Sequence, residues 1–365
     1  MVEKNIAVLP GDGIGSEITR EAIKIIDAIS DKYDHIFHFQ YADFGGAAYD
    51  KYGNPFPEQT KKICDTSDVI LKGPVGAPKY DSIKDPNLRP ERGGVLQFRA
   101  RYNMFANFRP VKLPQSLLSF SPLKLERVSS GLDIMIIREL CGGIYFGKKY
   151  TGKTEEGHSY ASDVMEYAEP QVEQIARVAF AEAEKKHSKL HNIHKSNVLA
   201  CSVFWNDIID RVHVTEFPDV LLEHMLVDNA AYQLVINPCQ FQVMLMENMM
   251  GDILSDEAAG LIGSLGLMPS ACIGPKKSCF EPAHGSAPSI AGKNQANPYS
   301  MIGSVALMLE KAFSLQNEAD DIWRALFEVL SEGYYTMDLM DNPNTNKTVV
   351  STREFGSLVR ESILG

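Results

Sequence analysis

Asp252 and Asp256 stand four apart in GDILSDEAAG. On a helix that spacing points two carboxylates the same way, as a hard divalent cation requires of its oxygen ligands. Helix capping is the plainer reading of Asp252 alone. In the segment that follows Pro218, helical periodicity puts Leu221, Met225, Tyr232 and Val235 on one face with Asp228 among them. A carboxylate on an apolar stripe needs a partner, whether a cation or a buried hydrogen bond. Arg99, Arg101 and Arg109 crowd RARYNMFANFRP, and Arg138 closes the apolar run 132–137. Guanidinium forks match carboxylates bidentately, so three that converge can hold a di- or tricarboxylate, although any one alone reads better as a surface charge or a structural ion pair. Tyr145 in GGIYFG, and Lys195 just ahead of the apolar run 198–204, are residue types that serve as acid and base. Taken singly they are a packing tyrosine and a surface lysine.

The elements that must position these groups alternate between strand-length apolar runs and helix-period segments, the pattern of α/β architecture. Residues 5–9, 68–71, 132–137 and 198–204 read as buried strands. Ile18, Ala22, Ile25, Ile26 and Ile29 give a helix after the turn Gly11-Asp12-Gly13-Ile14-Gly15. Val172, Ile175, Ala176, Ala179, Phe180 and Ala183 give another, with Pro170 in its first turn. The glycine turn invites a dinucleotide fingerprint, but position 16 is Ser16 and no acidic residue closes a second strand near position 35. It reads better as a tight turn at a ligand-facing strand end. His187, His191 and His194 also recur at helical spacing. The lysines around them, Lys185, Lys186, Lys189 and Lys195, predict a solvated helix end rather than a zinc site.

The 365 residues are 44% hydrophobic, enough for two or three globular units. With 36 Lys plus Arg against 47 Asp plus Glu the net charge is -11, which repels nucleic acid and anionic lipid. Six cysteines without a C-x-x-C pair, and no uninterrupted apolar stretch at the N-terminus, predict a reduced, cytoplasmic protein without signal peptide or membrane span.

The order of motifs along the chain is more specific than any one of them. AVLPGDGIGSE, KGPVGAPKYD, RPERGGVLQFR running into FANFRP, RELCGGIYFG, MENMMGDILSDEAAG and FEPAHGSAPSIAGKNQANP together resemble the isocitrate/isopropylmalate dehydrogenase family of metal-dependent decarboxylating dehydrogenases, from about Asn5 to the C-terminus. GGIYFG is the form of its isopropylmalate branch. The resemblance implies two α/β domains sharing a central sheet, not a Rossmann fold. One domain would comprise 1–103 plus 257–365 and bind the cofactor; the other, 104–256, would bind substrate and dimerise.

It further implies a homodimer with shared active sites, working on a small-molecule substrate in leucine biosynthesis. Arg99, Arg109 and Arg138 would clamp the two malate carboxylates. Val95 and Leu96 would meet the isopropyl group, and Glu91 would lie toward the nicotinamide ribose. Asp252 and Asp256, with Asp228 from the other subunit, would hold Mg²⁺ or Mn²⁺; Lys195, also from the neighbour, would be the base, and Tyr145 would assist protonation. Ile14, His284, Gly285, Ser286, Ala287, Pro288, Ser289 and Asn297 would surround the adenosine of NAD. Three positions depart from the branch: Ser289 stands where aspartate is usual, Ala77 for a glycine and Phe98 for a leucine. The first predicts NAD use with weakened discrimination against NADP. Other 2-hydroxy diacids such as D-malate or tartrate, and a non-catalytic regulatory homologue, are the alternatives.

Overall fold

The computed structural model describes residues 1–339 and 348–365. Its strands, in chain order, are β1 (Glu3–Leu9), β2 (Ile36–Tyr41), β3 (Val69–Lys72), β4 (Ala106–Leu113), β5 (Leu132–Glu139), β6 (Lys149–Lys153), β7 (Ser159–Asp163), β8 (Leu190–His194), β9 (Leu222–Leu226), β10 (Val243–Met246), β11 (Pro269–Ile273), β12 (Cys279–Pro282), β13 (Tyr334–Tyr335) and β14 (Thr348–Val349). One large sheet runs β2-β1-β3-β12-β11-β4-β5-β10-β8-β9. It has two parallel blocks, β2-β1-β3-β12 and β5-β10-β8-β9. Between them β11 is antiparallel to both β12 and β4, and β4 is antiparallel to β5. Helices bury both faces, so β3 and β10 are buried along their whole length without alternation, apolar but for Lys72 at the end of β3. A separate exposed hairpin pairs β6 with β7.

The helix Gly15–Tyr33 buries Ile18, Ala22, Ile25, Ile26 and Ile29, and the helix Glu169–Lys185 buries all six residues of its stripe, as their periodicity predicts. Burial of each branched or aromatic side chain contributes about 1.5–3 kcal/mol. All six cysteines are unpaired. Among the described residues no helix is long and apolar enough to cross a membrane.

Three sequence expectations are corrected. Residues 198–204 are not a strand: Val198 is exposed, and a helix, Ala200–Glu216, begins there. The strand is β8, so Lys195 follows a strand rather than preceding one. His191 and His194 consequently lie buried on β8, beyond the end of the helix Glu169–Lys185, and not on a solvated helix end. Nor is there a continuous helical stripe after Pro218. Residues 222–226 form β9, and the helix Val227–Ile236 buries Ala230 and Leu234 while Tyr232 is exposed, so Asp228 does not sit on an apolar face.

Candidate active site

The helix Asn248–Leu261 leaves the carboxyl end of β10 and packs across β5. Met250, Leu254, Ala258 and Leu261 hold its inner face. Gly251 is required by proximity: a Cβ there would lie 2.6 Å from Cγ of Arg138. Asp252 and Asp256 project from this helix one turn apart, and Asp252 lies inside it, so it is not the cap.

Three arginines reach this helix or its surroundings. Arg138, near the carboxyl end of β5 and 1% exposed, donates to Oδ1 of Asn248 from Nε at 3.2 Å and Nη2 at 2.7 Å, and from Nη1 to Asp252. Burial and the neighbouring Arg109 lower its pKa to about 10, which leaves it charged at neutral pH. Arg109, on β4, donates to Asn107 (2.8 Å), Ser255 (2.6 Å) and Asp256 (3.2 Å), and lies 3.8 Å from Asp252. Arg99 donates to Glu281 at 3.4 Å, and its buried Nε has no partner. That Glu281 carboxylate also pairs with buried Lys72, and despite the cost of burial its pKa is lowered to about 2 by Lys72 and Arg99. Arg101 stands apart, paired with Asp65 at 2.7 Å.

Tyr145 donates to Oδ2 of Asp252 at 2.9 Å, and burial together with Asp252 raises its pKa. Against the cost of burial, Arg138 and Arg109 hold Asp252 below the usual carboxylate range. Burial, reinforced by Asp252, pushes Asp256 above it. Two carboxylates on one helix face, one of them reluctant to ionise beside the other, fit a divalent cation with oxygen preference. Lys195 and Asp228 form a separate pair, Nζ to Oδ1 2.7 Å, and the lysine's bond lowers the Asp228 pKa. No three His, Cys, Asp or Glu side chains gather for a metal among the described residues, so Asp228 is not brought to Asp252 and Asp256 within this chain.

Val95 and Leu96, both half-buried, end the wide helical turn Pro90–Leu96 that feeds directly into the segment bearing Arg99. Glu91 is exposed and lies against Gly76, whose φ of +98° is the left-handed region that favours glycine.

A cavity of about 550 Å³ is lined by Ile14, His284, Gly285, Ala287, Ile290 and Asn297, with Ser264, Leu265, Met337 and Asp338. Nε2 of His284 is buried there without a partner, and burial lowers the pKa of the ring. An orphaned ring nitrogen in an apolar cavity of this size fits a nucleoside. Ser286 is buried and ties the loop down: its hydroxyl donates to the Gly76 carbonyl and its carbonyl accepts Ile14 N–H at 2.9 Å. Pro288 lines an adjoining cavity with Gly11, Gly13 and Lys79, while Ser289 is exposed. Asp12 accepts the N–H groups of Gly46, Ala47 and Gly76, so the glycine turn is a tight turn pinned to the neighbouring loops.

Sequence reasoning missed Asp338, which accepts from Ser264 (2.5 Å) and Asn297 (3.1 Å) in the cavity wall. YYTMDLM carries no motif that would have flagged it. It also missed Asn248, Glu139 and Glu247. Burial pushes Glu139 and Glu247 up to about 7. A carboxyl that keeps its proton longer when folded favours the fold most below the usual carboxylate range, and that advantage is lost as pH rises to about 7. Chemical denaturation between pH 5 and 8 is therefore expected to show a midpoint falling toward pH 7. Glu247→Gln should flatten that slope, on the order of 1 kcal/mol per pH unit; an unchanged slope would refute the assignment.

The isocitrate/isopropylmalate dehydrogenase family model matches residues 5–359. The 3-isopropylmalate dehydrogenase of Thermotoga maritima is 47% identical over 354 residues, covering 97% of each chain. That of Carboxydothermus hydrogenoformans is 46% identical over 360 residues, covering 99% of this chain and 95% of the other. Among solved structures, isocitrate dehydrogenase from Methylococcus capsulatus aligns with a TM-score of 0.86 at 31% identity, over 99% of this chain and 100% of that one.

Proposed function

The chain belongs to the isocitrate/isopropylmalate dehydrogenase family, and from that premise we propose that it oxidatively decarboxylates (2R,3S)-3-isopropylmalate to 2-oxo-4-methylpentanoate while a nicotinamide cofactor is reduced, a step of leucine biosynthesis. The observation that carries this reading is the meeting of Arg109, Arg138 and Tyr145 on the carboxylates of one helix, with the apolar pair Val95–Leu96 on the segment that leads to Arg99. Arginines clamp two carboxylates, and the apolar pair faces a branched alkyl group where an isocitrate enzyme must meet a third carboxylate.

In this mechanism Arg99, Arg109 and Arg138 fix the malate portion, and Lys195 from a second copy of the chain takes the C2 hydroxyl proton as hydride departs from C2. The β-keto acid so formed loses its C3 carboxylate as CO₂, and Tyr145 assists protonation of the resulting enolate. A divalent cation, Mg²⁺ or Mn²⁺, on Asp252 and Asp256 with Asp228 of that second copy, supplies Lewis-acid polarisation of the substrate oxygens. NAD would be held in the cavity of His284, Asn297 and Ile14, with Gly285, Ser286, Ala287 and Pro288 forming its loop, and Glu91 and Asp338 would be available to its ribose hydroxyls.

Homodimerisation is supported by exposed apolar side chains on three helices of the chain's middle portion: Val203 and Phe204, Tyr232, and Ile253 beside Asp252. The proposed domains, 1–103 plus 257–365 and 104–256, are supported by the strand order, in which β1, β2, β3, β11 and β12 lie together toward one end of the sheet and β4, β5, β8, β9 and β10 toward the other.

Initial rates of nicotinamide reduction with 3-isopropylmalate, D-malate and isocitrate, with and without a chelator, test the reading. Chelator-sensitive turnover preferring isopropylmalate is expected; preference for D-malate would overturn the role of Val95 and Leu96. Ser289→Asp is expected to raise the NAD to NADP preference about tenfold, because a carboxylate repels a 2′-phosphate. An unchanged ratio would remove Ser289 from the cofactor site.

A further inference from the structure

Asn248 is 1% exposed, and no step of the mechanism above uses it. Every polar atom it carries beyond its own helix is nonetheless engaged at the site. Its Oδ1 accepts two bonds from Arg138, its Nδ2 donates to the carbonyl of Gly142 at 2.9 Å, and its backbone N–H donates to the hydroxyl of Tyr167 at 3.0 Å. The orientation of the amide is fixed by chemistry: a guanidinium only donates and a carbonyl only accepts, so a flipped amide would lose both sets of bonds.

The two ends of this amide hold different parts of the reaction. Arg138 belongs to the substrate clamp. Gly142 belongs to the loop that presents Tyr145, and that loop is gripped from three other directions. Glu139 accepts the N–H groups of Cys141 at 2.7 Å and Gly142 at 2.9 Å. The carbonyl of Glu166 accepts Gly143 N–H at 3.0 Å. The side chain of Tyr167 covers Gly142 and Gly143, where an added Cβ would fall 2.6 Å from its ring and 2.5 Å from its hydroxyl. Gly143, at φ +71°, makes the turn that sends Tyr145 back toward Asp252.

We propose that Asn248 is a positioning residue that couples the carboxylate clamp to the loop of the general acid, holding Arg138 and Tyr145 in one register on Asp252. The proposal rests on the reading of Tyr145 and Arg138 given above and adds to it the group that fixes their relative placement. Small displacements of reacting groups cost much: about 1 Å is worth about 100-fold. One planar amide spanning both groups makes their placement interdependent, which two separate hydrogen bonds would not.

The test is a double-mutant cycle on the purified full chain, read as kcat with 3-isopropylmalate and NAD. Asn248→Asp keeps the acceptor toward Arg138 and loses the donor toward Gly142, whereas Asn248→Ala loses both. Asn248→Asp is expected to lower kcat about 10- to 100-fold in the wild-type background and less than about twofold in a Tyr145→Phe background, where there is no hydroxyl left to misplace. Asn248→Ala is expected in addition to raise KM for isopropylmalate about tenfold, since Arg138 is released.

Equal losses in the two backgrounds would overturn the proposal and leave Asn248 as a residue of the fold alone. If Asn248→Asp does not fold, Tyr167→Phe takes its place in the same cycle, with the same dependence on Tyr145 expected and the same additive outcome fatal. A wild-type chain without turnover, or Tyr145→Phe with undiminished kcat, overturns the underlying reading of the site together with the coupling.

Discussion

Lys195→Met and Asp252→Asn, each inactive alone, are expected to regain about a quarter of wild-type activity when the two chains are co-expressed or refolded together. Lys195 is bound to Asp228 at 2.7 Å, while Asp252 is gathered with Arg138, Arg109 and Tyr145, and among the described residues no hydrogen bond or ion pair joins the two groups. If each site takes Lys195 and Asp228 from a second copy, a mixed dimer has one site with both defects and one with neither. Half of randomly formed dimers are mixed, and half of their sites are intact, hence about a quarter. Each variant alone should fall about 10²–10⁴-fold, the usual loss when a general base is removed. Activity of the mixture no greater than the mean of the separate variants would place Lys195 and Asp252 in the same chain's site, or Lys195 outside it.

Asp252→Asn alone is expected to cost about 10³-fold or more in kcat/KM and to raise the divalent cation concentration needed for half-maximal rate. Asp252 receives Arg138, Tyr145 and the field of Arg109 at once. Its charge both fits the hard cation and compensates a guanidinium that is 1% exposed. Removing it strands the Arg138 cation, so the variant should also melt earlier, by a margin that solvent access to the aspartate keeps to about 1–3 kcal/mol. The two effects separate by experiment: added Mn²⁺ should recover part of the rate without restoring the melting temperature. Rate at ordinary Mg²⁺ equal to wild type would remove Asp252 from the metal site.

Periodicity sufficed where apolar side chains meet a single neighbouring layer. The stripes of Gly15–Tyr33 and Glu169–Lys185 are buried residue by residue as their spacing requires. It failed where a strand is polar. LHNIH carries no alternation that separates it from a loop, yet Asn192 is buried because Trp205 donates to it at 2.8 Å and it donates to Asn206 at 2.8 Å. Those partners come from the helix that the apolar run 198–204 disguised as a strand.

The same limit governs the site. Arg99, Arg109 and Arg138 were legible as donors of the right type, and Asp252 with Asp256 by spacing, but nothing local says that β4 and β5 run antiparallel and bring Arg109 and Arg138 to the same helix, Asn248–Leu261. Asn248 and Asp338 were invisible because their value lies in partners far along the chain, Gly142 for one and Ser264 for the other.

The order of strands in the sheet also bears on how the chain emerges from the ribosome. Although β4 at its border still waits for β11, the block β5-β10-β8-β9 is drawn wholly from residues between Leu132 and Met246, so it has all four of its own strands once Met246 is out. The opposite end does not: β3 finds its second neighbour only in β12, where Ile70 lies beside Cys279. The first strands synthesised must therefore wait through the middle of the chain with an apolar edge uncovered, the condition under which nascent chains recruit chaperones or aggregate. A chain halted after Met246 is expected to be protease-resistant within 104–246 and sensitive before it, so the portion made second acquires its structure first.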